Sequence, residues 1–212
     1  MHNFVGRRLY AIIDLNYVSD GQATAILKKL IDGGIDAVQL RAKNRSVKEM
    51  VALAEQLLEQ TIAANVPFIV NDQAAVADRV GIQGVHVGQE DDSIAQVRRA
   101  VSRPVIVGKS THSLGQAIAA EREGADYIGF GPLFATPTKP DYLPIGVDQI
   151  REVHRQVNIP IFCIGGIKVE NLPQVIAAGA KRVVIVSGLL QSDDPTDYGR
   201  RAKYLLGQIV DS

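Results

Sequence analysis

The chain has 212 residues, 46% of them apolar and 22% charged, with 23 basic and 23 acidic side chains and no net charge. Those values fit a globular domain and exclude a disordered or fibrous chain. The charge balance, with no basic stripe, argues against nucleic-acid binding, and a single cysteine, Cys163, excludes an internal disulfide framework. Cys163 sits in an apolar run and reads as a small buried hydrophobe. No segment has the pattern of a signal peptide or membrane span, so a cytoplasmic location with no membrane partner is expected.

Along the chain, short runs rich in Val and Ile alternate with longer amphipathic stretches. Strands are predicted at residues 9–13, 37–40, 67–70, 84–87, 104–108, 127–130, 160–164 and 182–186. Their near-continuous apolar character suits parallel strands buried on both faces. Helices are predicted at 22–31, 46–64, 73–80, 93–101, 114–123, 147–157, 171–178 and 195–209. In the second, Val47, Met50, Val51, Ala54, Leu57, Leu58 and Ile62 recur at three- and four-residue spacing. The phrase Gly34-Ile35-Asp36 recurs as Gly124-Ala125-Asp126 and Gly179-Ala180-Lys181, each just before a strand. Eight evenly sized βα units with no linker predict one domain over residues 1–212, an α/β chain closed into a (β/α)8 TIM barrel.

Polar residues gather just after the predicted strands, positions that a barrel brings to one face. Arg41 and Lys43 follow the second strand; two cations one residue apart at a strand end point the same way, which suits a phosphate or diphosphate, or a solvated loop. Asn71-Asp72 follow the third strand, and Gln89, Glu90, Asp91 and Asp92 the fourth. Asp72 with one of these acids could hold Mg2+, which takes oxygen ligands and substrate phosphates; helix capping is the plainer role for each. Ser110 and His112 follow the fifth strand, where Ser113 reads as a helix cap. His86 reads as a barrel-core histidine, His2 and His154 as surface residues.

The longest loop, after the sixth strand, carries Thr136, Thr138 and Lys139 between stiffening prolines, a composition suited to phosphate oxygens. Gly165-Gly166 and Ser187-Gly188 follow strands seven and eight, where barrels often bind phosphate through backbone N–H groups. Two subsites are therefore expected. One, after strands two, three, four and six, is cationic and acidic; the other, after strands seven and eight, is glycine-lined.

Gln39-Leu40-Arg41-Ala42-Lys43, Val70-Asn71-Asp72, the segment from Gly84 to Asp91, Gly131-Pro132 with Thr136-Pro137-Thr138-Lys139, and Ile164-Gly165-Gly166-Ile167 together resemble thiamine phosphate synthases. The resemblance implies condensation of a hydroxymethylpyrimidine diphosphate with a thiazole phosphate, giving thiamine phosphate and pyrophosphate. It implies loss of diphosphate before the thiazole nitrogen attacks. It carries Mg2+ onto Asp72 and Asp91, and the pyrimidine diphosphate onto Gln39, Arg41, Lys43, Asn71, Ser110 and Lys139. Lys139, Arg41, Lys43 and Ser110 are the expected catalytic set. Thr136, Thr138, Gly166, Val186 and Ser187 are expected to hold the thiazole phosphate. Residues 140–145 are shorter than the usual loop, and Ser187-Gly188 replaces the usual Ser-Ala. The sister family of thiazole tautomerases would instead use His112 for proton transfer without Mg2+. A non-catalytic thiamine-phosphate-binding regulator is the third alternative.

Overall fold

The structure, a computed structural model, describes residue 4, residues 6–136 and residues 143–209. Helices and strands alternate from the start: β1 (Leu9–Asp14), α1 (Asp20–Asp32), β2 (Ala37–Arg41), α2 (Val47–Ala63), β3 (Phe68–Asn71) and α3 (Ala74–Val80). Then come β4 (Gly84–Val87), α4 (Ile94–Ala100), β5 (Ile106–Thr111), α5 (Leu114–Arg122), β6 (Tyr127–Phe130) and α6 (Ile150–Gln156). The chain closes with β7 (Ile161–Cys163), α7 (Leu172–Ala177), β8 (Val183–Ile185), α8 (Ser187–Leu190) and α9 (Pro195–Gly207). The strands pair in sequence order, all parallel, and β8 returns to β1, so the expected (β/α)8 barrel is formed.

Two apolar layers hold it. One face of each strand packs on the surrounding helices, as Val38, Leu40, Val70, Val85 and Val107 pack against Leu27, Ala54, Leu57, Val76 and Val97. The other face fills the barrel with Tyr10, Ile12, Ala37, Ile69, Tyr127, Phe162 and Val184. Phe4 plugs the end opposite the strand carboxyl termini, its ring stacked 4.5 Å from that of Tyr127. Two tyrosines fit inside because the neighbouring positions are small: a methyl group on Gly108 would overlap the Tyr127 ring.

The repeated Gly-x-Asp phrase has a structural use at the same end. Asp36 accepts the N–H groups of Arg8 and Leu9, both at 2.8 Å, and Asp126 accepts that of Val107 at 2.7 Å. Each acid thus caps the start of the neighbouring strand, whose first donors have no ladder partner.

The structure departs from expectation at β5, α8 and His154. β5 runs to Thr111, three residues beyond its predicted end, because Ser110 and Thr111 pair with Gly129 and Phe130 of β6. Their polarity marks a strand turned toward a cavity, not its end. The four-residue α8 was not expected. His154 is half-buried on α6, not a surface residue, and its Nε2 has no hydrogen-bond partner. His2 lies outside the described residues.

Candidate active site

At the carboxyl ends of the strands the barrel opens into a cleft of about 820 Å³, its mouth included. Gln39 and Arg41 of β2 both line it, since alternate residues of a strand share a face. Asn71, His86 and Ser110 enter from β3, β4 and β5, followed by His112 and Thr136. The opposite wall is Gly165, Gly166 and Ile167 with Val186 and Ser187 at the start of α8. Lys43, Asp72 and Asp91 are not among the lining residues, and Thr138 and Lys139 lie outside the described residues.

Among the described residues, Arg41 is the one buried cation of the lining, and Asp14 at the end of β1 is its counter-charge. Arg41 Nη1 donates to Asp14 Oδ2 at 2.5 Å, and Asp14 Oδ1 accepts the N–H of Asn16 at 3.0 Å. The pair fixes the guanidinium at the cleft wall. Lys43, two residues on, was expected to point the same way. It lies beyond the strand, where the alternation no longer holds, and its Nζ stands 3.7 Å from Asp72 Oδ2 at the rim.

The N-cap positions of α3 and α4 belong to other residues. Gln73 occupies the N-cap of α3. Asp72 before it has φ +62°, a left-handed backbone that Asn and Asp tolerate better than other side chains and that recurs at functional sites. Ser93 caps α4 through Gln96. Asp91 Oδ2 instead accepts the N–H of Gly88 at 2.7 Å, closing the turn after β4. Ser113 caps α5, as expected.

His86 sits in the core, as expected, yet also faces the cleft. Its Nε2 lies 2.9 Å from Ser110 Oγ and its Nδ1 3.0 Å from Tyr127 Oη. Tyr127 reaches Tyr10 at 3.1 Å, and Gln39 Nε2 donates to Tyr10 at 2.8 Å. Burial drives both phenols well above their ordinary range, so they keep their hydrogens. His112 Nδ1 bonds the Gly131 carbonyl.

The glycine wall is a backbone requirement. Gly165 and Gly166 have φ +97° and +65°, and a Cβ on Gly166 would stand 2.7 Å from that of Phe134 and 2.8 Å from the Ala135 carbonyl oxygen. The turn therefore packs directly on the loop that carries Thr136. Asn71 pairs with His86 in the β3–β4 ladder, which places it beside the network.

Asp14 was missed in the sequence. Its signal was available, because it is a carboxylate directly after an apolar run, the criterion applied to the other strands. The two tyrosines gave a weaker signal: a phenol in a strand buried on both faces needs a partner for its hydroxyl.

Fold and site together define a (β/α)8 protein with a polar cleft at its strand ends, cationic on one side and glycine-lined on the other. A family described as thiamine monophosphate synthase matches residues 9–189. The chain belongs to that family. It is 41% identical over 205 residues to a thiamine-phosphate synthase of Chloroflexus aurantiacus, covering 96% of this chain and 94% of that one. It is 40% identical to a thiamine-phosphate synthase of Shouchella clausii, covering 88% and 90% of the two chains. A solved thiamine phosphate pyrophosphorylase from Pyrococcus furiosus superposes with a TM-score of 0.87 at 29% identity, over 95% of this chain and 96% of that one.

Proposed function

We propose that this chain is a transferase that condenses a hydroxymethylpyrimidine diphosphate with a hydroxyethylthiazole phosphate. The observation that carries the reading is one cleft with two unlike walls, each suited to a phosphate ester. On the β2–β5 side, Arg41, Asn71, Gln39 and Ser110 offer charged and neutral hydrogen-bonding groups to the pyrimidine diphosphate. On the other side, the Gly165-Gly166 turn, Thr136, Val186 and Ser187 at the start of α8 hold the thiazole phosphate, in part through backbone groups.

In the reaction the C–O bond to the diphosphate breaks, the diphosphate leaves with the electron pair, and the thiazole nitrogen forms the new C–N bond. Negative charge grows on the leaving oxygen. Arg41, already fixed by Asp14, opposes that charge without reorganising. Lys43 at the rim and Lys139, from outside the described residues, complete the cationic set.

Asp72 and Asp91 would hold Mg2+. No group of three His, Cys, Asp or Glu side chains able to hold a metal gathers among the described residues. Two carboxylates fit an ion that draws its other oxygens from diphosphate and water. When bound, it supplies charge neutralisation on the leaving diphosphate.

The test is incubation with both substrates and Mg2+, following pyrophosphate release and thiamine phosphate. Folded protein that yields neither overturns the reading. His112 in the cleft favours the tautomerase as a second reading. Isomerisation of a thiazole phosphate carboxylate without Mg2+ would support that alternative, and isomerisation retained in His112→Ala would count against it. Among the described residues no helix is long and apolar enough to cross a membrane.

A further inference from the structure

Beneath the cleft, five side chains from five strands form one unbroken chain of hydrogen bonds: Gln39, Tyr10, Tyr127, His86 and Ser110. Gln39 and Ser110, at its two ends, line the cleft; Tyr10 and Tyr127 do not. We propose that this chain runs in one direction, set by Gln39, and that Tyr10 and Tyr127 are positioning residues that make Ser110 a hydrogen-bond donor into the cleft.

The direction follows from counting hydrogens. A phenol has one, and a neutral imidazole has one N–H and one lone pair. Gln39 Nε2 donates to Tyr10, so Tyr10 gives its own hydrogen to Tyr127. Tyr127 gives its hydrogen to His86 Nδ1, which leaves the N–H on Nε2, facing Ser110 Oγ. Ser110 accepts there and keeps its hydroxyl hydrogen for the cleft. In the opposite direction Ser110 would donate to Nε2, Nδ1–H to Tyr127, and Tyr127 to Tyr10. The Tyr10 hydrogen would then meet the Gln39 amide hydrogens, two donors face to face in a fully buried place.

Water cannot relieve that conflict. Tyr10 and Tyr127 are 1% and 0% exposed and Gln39 2%, and Phe4 and Phe162 pack edge or face against both rings. Only rotation of the Gln39 amide by half a turn reverses the chain, and that rotation changes what both ends show the cleft. As bonded, Gln39 offers an acceptor and Ser110 a donor; reversed, the roles exchange. The chain therefore couples two contacts on β2 and β5 that share no direct bond.

The experiment reads the His86 tautomer by nitrogen NMR of the full chain labelled at histidine, with the signal assigned by its loss in His86→Gln. It needs no substrate, so its failure is distinct from failure of the condensation assay. The wild-type protein is expected to carry the proton on Nε2. Gln39→Glu, whose carboxylate must accept from Tyr10, is expected to move the proton to Nδ1, and the double variant with Tyr127→Phe to show no such move. A wild-type proton on Nδ1, or a Gln39→Glu protein still protonated on Nε2, overturns the proposal. Should Gln39→Glu not fold, Tyr127→Phe alone decides. Its Nδ1 resonance is expected to shift to that of an imidazole nitrogen with no hydrogen bond, and an unmoved resonance overturns the proposal.

Discussion

Arg41 meets Asp14 at 2.5 Å with the two side chains 10% and 1% exposed, whereas Lys43 stands 3.7 Å from Asp72 with 48% and 20% exposed. The two pairs lie at neighbouring strand ends and differ in depth, length and chemistry. The first is a forked cation held by a buried carboxylate that is itself hydrogen-bonded. The second is a point charge loosely facing an acid across partly hydrated space. A buried pair is costly to break, because the remaining charge is stranded. An exposed pair is screened and exchangeable. The deep pair therefore serves as fixed architecture for the cleft. In the proposed reaction, the rim pair would let Asp72 exchange a lysine for a cation that arrives with the substrate.

Removing one charge from each pair should separate the two. Asp14→Asn strands the Arg41 guanidinium beside a neutral amide. We expect a loss of about 3 kcal/mol in chemical denaturation at pH 7.5, at the low end for a broken buried pair because the amide still accepts a hydrogen bond. A loss below about 1 kcal/mol would put this pair in the same class as the exposed one.

Asp72→Asn makes the opposite pattern. Asparagine tolerates the left-handed backbone as well as aspartate does, so stability should stay within about 0.5 kcal/mol. Activity should fall about a hundredfold in kcat, roughly 2.7 kcal/mol of lost transition-state stabilisation. The Mg2+ concentration for half-maximal rate should rise. An unchanged Mg2+ titration would remove Asp72 from the proposed metal site.

The comparison must be made above pH 7, because a third group sets the acid side. Burial, with Lys181 and Arg182 nearby, depresses His154 to about 4 from 6.5. Between those values the unfolded chain binds a proton that the folded one does not, so stability rises with pH across that window and is lost as pH falls. With His154 half-exposed, the effect is discounted to about 1–2 kcal/mol at pH 4 relative to pH 7. His154→Gln should flatten that slope. A slope equal to wild type would assign it elsewhere.

The barrel was legible because it is written in repetition. Eight apolar runs and the Gly-x-Asp phrase each recur, and no single residue has to be read correctly. Part of the cleft was legible through strand-end polarity, as for Arg41, Asn71 and Ser110. The two tyrosines were missed because they act through other side chains, and contact between β1, β2 and β6 is not present in local sequence. Lys43 marks where that reasoning stops: alternation predicts direction only while the chain remains a strand, and β2 ends at Arg41. The Gly165-Gly166 turn was found by its position in the fold, though its close packing on Phe134 could come only from coordinates.

The smallest effect is expected at Lys43, where it is also the most instructive. Lys43→Gln removes a half-exposed charge whose partner lies at the limit of an ion pair, so stability should change by about 0–1 kcal/mol. Its role in the proposed reaction is to draw the diphosphate to the rim, and that contribution is screened by salt. At low ionic strength KM for the pyrimidine diphosphate should rise about tenfold, and the difference from wild type should shrink toward the Debye limit near 0.15 M salt. Arg41→Lys should behave differently. It keeps the charge but loses the fork, in a place that salt does not reach, so its defect should persist at every ionic strength. If both variants show the same salt dependence, the two pairs do not differ as depth and distance imply. Lys43 would then act within the cleft and not at its rim.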